Sequence, residues 1–108
     1  MGHDISGFNK AGEEIAYARF SMGNYNATIL YSLLDASEYY AGVSGSGGSS
    51  TFSKQQIEKA LNDYKKLYND DSKSNSEFID YDEKQIKNFI INCLETAQKE
   101  ENVRVYFG

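Results

Sequence analysis

Two apolar segments near the start of the chain flank a polar turn. His3 to Phe8 precedes Asn9-Lys10-Ala11-Gly12, and Glu14 to Phe20 follows it, with Ile15 and Tyr17 alternating onto one face. Alternation on both sides of such a turn predicts a β-hairpin. Ala16, Ala18 and Arg19 are also helix formers, so a helix is the alternative for the second segment.

Met22-Gly23-Asn24 breaks the alternation, and the period then changes. Ala27, Leu30, Tyr31 and Leu34 recur at i, i+3, i+4, i+7, one helix face, with Asn24 or Asn26 as the cap and an end near Ala36. Tyr39-Tyr40-Ala41-Gly42-Val43 reads as a short strand leading into Ser44-Gly45-Ser46-Gly47-Gly48-Ser49-Ser50-Thr51, a low-complexity stretch expected to be a flexible loop. Two further helices open with the same grammar. Phe52-Ser53-x-x-Gln56-Ile57 combines a capping box with a hydrophobic staple and leads a stripe of Ile57, Ala60, Leu61, Tyr64, Leu67 and Tyr68. Tyr81-Asp82-x-x-Gln85-Ile86 leads Phe89, Ile90, Cys93, Leu94 and Ala97. Asn69 to Glu77, almost wholly polar, reads as a surface loop between them. Val103 to Phe107 alternates as a strand whose natural partner is the N-terminal hairpin. The expected architecture is one α+β domain over residues 1–108, with three helices on a small, mostly antiparallel sheet that includes the N- and C-terminal strands.

Composition narrows the function classes. Hydrophobic residues make up 40% of the 108 and aromatics 14%, enough to build one core. Sixteen acidic against eleven basic side chains leave a net charge of -5, which opposes non-specific nucleic-acid binding. Lys54, Lys59, Lys65 and Lys66 share one predicted helix, but Glu58 and Asp63 interrupt them, as on an ordinary solvated face. No apolar run approaches the roughly 20 residues of a membrane span. A single cysteine and the lack of a basic-then-apolar leader point to a cytoplasmic setting. No cofactor is implied.

Five features are candidates for chemistry. Gly45, Gly47, Gly48, Ser49, Ser50, Thr51 and Ser53, before and at a helix start, could offer backbone N–H groups to a phosphate or nucleotide, with Arg19 and Arg104 as a clamp. The alternatives are a hairpin loop or a linker, since the Walker lysine is missing. His3 beside Asp4 could orient an imidazole for proton transfer, although Ser6 lies on the opposite side of a strand and a frayed terminal histidine is the plainer reading. Cys93 sits on a helix stripe and reads as core. The carboxylates Asp70, Asp71, Glu77, Asp80, Asp82 and Glu83 lack calcium-loop spacing and imply no metal. Tyr25, Tyr39, Tyr40 and Tyr106 exceed what the helix stripes need, and the first three form the expected recognition surface.

These features favour a small non-enzymatic interaction protein, such as a stoichiometric inhibitor that docks on a protein partner. The Asn-, Lys-, Ile- and Tyr-rich composition fits an AT-rich bacterial or phage genome, a bias common among small phage inhibitors. The alternatives are a protein that binds or sequesters a small anionic ligand through the Gly-rich loop and an enzyme using His3 and Asp4. A sheet this short could also be completed by a second copy as a homo-oligomer.

Overall fold

In a computed structural model, residues 2–21, 25–42, 44–69 and 81–108 are described. The elements are strands β1 (Gly2–Phe8) and β2 (Glu14–Ser21), helix α1 (Tyr25–Leu33), a 3-10 turn (Ser37–Tyr39), strand β3 (Gly48–Ser53), helices α2 (Lys54–Asn69) and α3 (Tyr81–Glu100), and strand β4 (Asn102–Phe107). The four strands form one antiparallel sheet in the order β2-β1-β4-β3. This is the expected α+β arrangement, with the N- and C-terminal strands paired at its centre.

The hairpin forms, and the helical alternative for its second arm does not. A register shift beside Gly7 and Phe8 changes which residues face inward. Ala16, Ala18 and Phe20 are buried, whereas Tyr17, expected to share a face with Ile15, points to solvent. Small residues on this face let α3 lie close. A Cβ added at Gly7 would stand 3.0 Å from the Cys93 sulfur and 3.2 Å from the Ala16 Cβ.

Helix α1 buries Ala27, Leu30 and Tyr31, with Leu34 just beyond it, as its spacing predicts. It ends earlier than expected because Asp35 takes a positive φ of 55° and the Ala36 amide donates to the Tyr31 carbonyl at 2.8 Å, a left-handed helix stop. The strand expected at Tyr39-Tyr40 is instead the 3-10 turn followed by a single bridge between Tyr40 and Gly45. Tyr39 turns inward, and its ring stacks on Phe107 at 4.8 Å.

The stretch expected to be a flexible loop also departs from its composition. Residues from Gly48 onward pair with β4 as an edge strand, and the close approach upstream demands glycine: a Cβ at Gly45 would lie 2.6 Å from the Phe107 carbonyl. Pairing to an apolar central strand overrides weak local preference here. At Ser53 the capping box is made in full. The Gln56 amide donates to Ser53 Oγ at 3.2 Å, and the Ser53 amide donates to Gln56 Oε1 at 2.7 Å.

Helix α2 buries Ile57, Ala60 and Tyr64, while Leu67 is exposed. Helix α3 buries Ile86, Phe89, Ile90, Cys93 and Ala97, so the core reading of the cysteine holds. All three helices contribute to one core with the inward residues of the sheet, Ile5, Ala18, Phe52, Val103, Val105 and Phe107 among them. The expected cap at Asn24, the expected loop from Asp70 to Glu77 and the side chains of Tyr25, Tyr68 and Asp82 lie outside the described residues, as do Val43 and Asp80, while Asn69 ends α2.

Candidate interaction surface

One face of the sheet carries the helices. Its other face bears no described helix, and strand alternation decides what it displays. Across β2, β1 and β4, Tyr17, Ser6 and Tyr106 form one row, Arg19 and Asp4 the next, and Phe8 lies opposite Arg104. The two arginines of the chain therefore share this face with two of its most exposed large aromatics, Tyr17 at 48% and Tyr106 at 39%.

Local contacts order the face. The Tyr17 hydroxyl donates to Asp4 Oδ1 at 2.5 Å, and Arg19 Nε stands 3.8 Å from the same oxygen. That hydrogen bond, then burial and the Asp4 charge, holds the Tyr17 phenol above its ordinary pKa. Arg104 lies over the Phe8 ring at 4.8 Å, which fixes a flexible cation on a rigid support. Ser6, between the tyrosines, is only 7% exposed.

The two arginines expected as a clamp stand apart on the sheet. Arg19 lies opposite Asp4 and Arg104 opposite Phe8, on different sides of β1. That places them about 13 Å apart along the strands and about 10 Å apart across them. In the glycine-rich stretch three amides are engaged within the fold. The amides of Gly45, Ser46 and Gly47 donate to the carbonyls of Gly108, Tyr39 and Phe107 at 2.8, 2.9 and 2.7 Å. Ser49, Ser50 and Thr51 lie within β3, and Ser53 caps α2.

His3 is not frayed. It is fully buried, because the sheet turns it inward while its neighbour Asp4 points outward, so the two do not meet. The Gly42 carbonyl can only accept, so Nε2 carries the ring proton that it donates across 3.2 Å. Nδ1 is hydrogen-bonded with the Tyr31 hydroxyl at 3.1 Å. The Tyr40 ring stacks on the imidazole at 5.2 Å and leads from this cluster toward solvent. With both nitrogens engaged, His3 fastens the turn around Gly42 to β1. Among the described residues no group of His, Cys, Asp and Glu is arranged to hold a metal ion, and no described helix is long and apolar enough to cross a membrane.

Burial, with a smaller push from the Tyr40 phenol, raises the Tyr31 pKa from 10.0 to about 12, and burial alone raises Cys93 from 9.0 to about 12. Between pH 9 and 12 the unfolded chain therefore releases protons that the folded chain keeps, and stability falls as pH rises through that window. Urea unfolding on either side of it should show the loss. Tyr31→Phe should remove the tyrosine's share, and an unchanged alkaline loss in that variant would contradict the assignment.

The outer edge of β2 borders a groove of about 530 Å³ lined by Tyr17, Arg19, Lys84, Gln85 and Asn88. Here Gln85, expected as a capping-box partner, does something the sequence did not signal. Its Oε1 accepts the Arg19 amide at 2.9 Å, and its Nε2 donates to the Arg19 carbonyl at 2.8 Å. The other edge is partly covered too, since the Tyr39 hydroxyl donates to the Ser49 carbonyl at 3.4 Å.

Of the tyrosines expected to form a recognition surface, Tyr39 is packed into the fold and Tyr40 covers His3. Tyr40 nevertheless stays exposed, and it is joined by Tyr17 and Tyr106, each two residues from an arginine along its strand, a spacing visible once the strands are assigned. No protein-family model matches the chain, and neither a curated protein nor a solved structure matches it.

Proposed function

We propose that this is a small non-enzymatic interaction protein, of the kind that acts as a stoichiometric inhibitor, and that it binds a protein partner through the face of its sheet that bears no described helix. The observation that carries this reading is the gathering of Tyr17, Tyr106, Arg19 and Arg104 on that face. Tyrosine and arginine dominate the energetics of protein interfaces because they combine large contact area with directional bonding and lose little freedom when already braced. Asp4 and Phe8 brace the two arginines.

Size limits the interface. Strands of six to eight residues, four abreast, span about 20 Å by about 19 Å, or roughly 400 Å² of flat area. A standard interface covers about 800 Å² on each partner, so the contact must extend past the face or be transient.

Native mass spectrometry of the protein isolated gently from its source cells tests the proposal. The expected result is a complex with one specific protein that is lost in a Tyr106→Ala/Arg104→Ala variant, with each truncation weakening binding by about thirtyfold if it is a hot spot. A retained small molecule with no protein partner, or a complex unaffected by these substitutions, would overturn it.

A further inference from the structure

The groove beside β2 has a chemistry distinct from the open face. Its lining holds two cations, Arg19 and Lys84, the amides of Gln85 and Asn88, and Tyr17, with no carboxylate among these residues although the chain carries a net charge of -5. Asp4, the carboxylate paired with Arg19, approaches from the open face and is already engaged by the Tyr17 hydroxyl.

The backbone of Arg19 adds a second observation. Its N–H and C=O point away from β1 and are held by one planar carboxamide, at 2.9 and 2.8 Å. A carboxamide offers the same donor and acceptor as a peptide group, so Gln85 occupies the place of a residue in an added strand. An extended chain entering the groove can exchange for it with no loss of hydrogen bonds on Arg19.

We propose that the groove between β2 and α3 receives an extended acidic segment of a partner protein, its backbone replacing the Gln85 amide on Arg19 and its carboxylates meeting Arg19 and Lys84. This rests on the reading that the chain binds proteins, and it extends the contact beyond the open face through the shared residues Tyr17 and Arg19. Acidic side chains suit a cationic lining, and alternate residues of an extended segment would face it.

The test uses the full chain labelled with nitrogen-15 and two blocked octapeptides, one of alternating Glu and Thr and one of alternating Lys and Thr. The acidic peptide should shift the Arg19 backbone amide and the Gln85 side-chain amide, and the basic peptide should not. Lys84→Glu, at an exposed position, should weaken the acidic peptide about fivefold. Gln85→Ala should tighten it by removing the competitor. Equal shifts with both peptides, no shift at Arg19 or Gln85 at millimolar peptide, or weaker binding by Gln85→Ala would overturn the proposal and leave Gln85 as a cover for the strand edge. Lys84→Glu lies outside the open face and Tyr106→Ala outside the groove. A partner lost only with Tyr106→Ala would therefore sink this inference while sparing the function proposed above.

Discussion

Phe107→Ala should bring the protein close to unfolding. The ring is fully buried and lies 4.8 Å from Tyr39, 5.4 Å from Tyr31 and 6.4 Å from Phe52, so it ties the 3-10 turn, α1 and β3 to the central strand β4. Truncating a buried phenylalanine costs about 3–5 kcal/mol, a large part of the roughly 5–15 kcal/mol that holds a small domain together. A melting temperature lower by about 20 °C is the expected readout. Tyr106→Ala, one residue away but on the open face, should change stability by only about 0.5 kcal/mol. Similar losses for the two would mean that the face bearing Tyr106 is covered in the folded protein, which would also undercut the proposed interface.

His3→Leu should have the second largest effect. Leucine matches the imidazole roughly in volume but abandons the Gly42 carbonyl and the Tyr31 hydroxyl, each left in a buried or partly buried setting. Leaving a buried polar group unsatisfied costs about 1–3 kcal/mol, so a total of about 2–4 kcal/mol is expected. The damage should begin locally. Hydrogen exchange in residues 40–47 should quicken before the rest of the sheet opens, because His3 pins that turn from beneath while Tyr40 packs above it. Uniform loss of protection across the sheet would instead make His3 a general core residue with no particular hold on the turn.

The sequence is most legible where period and capping agree. Ser53 with Gln56 and the stripe from Ile57 to Tyr64 predict α2 because the capping box marks where the helix starts and the stripe marks the face it buries. The strand at Val103–Phe107 is equally plain, since strict alternation survives in the fold. Legibility fails where tertiary contact overrules local preference. Gly48 to Thr51 lacks every residue type that favours strands except Thr51, yet it pairs because β4 presents an apolar template and Gly45 admits the close backbone approach. His3 reads as a terminal residue by position alone, and only the central place of β1 in the sheet makes it core. For the surface, Tyr17-x-Arg19 and Arg104-x-Tyr106 were readable as pairs on strand faces, but their meeting on one side of the sheet depends on β1 lying between β2 and β4. The bond from Gln85 to Arg19 spans 66 residues and follows from no local pattern.

The position of β4 bears on how the chain acquires its shape during synthesis. The β1–β2 hairpin closes over a short turn and can form as soon as it leaves the ribosome, and α2 carries its own start signal. Strand β3 has no such independence: its pairing partner is β4, made about fifty residues later, and β1 also waits for β4 along one side. Until β4 is released, Gly48 to Ser53 has nothing to pair with and the apolar sides of the helices have only half a sheet to cover. Completion is therefore a late, cooperative event, and a nascent chain stalled before Asn102 should remain open to proteases and chaperones.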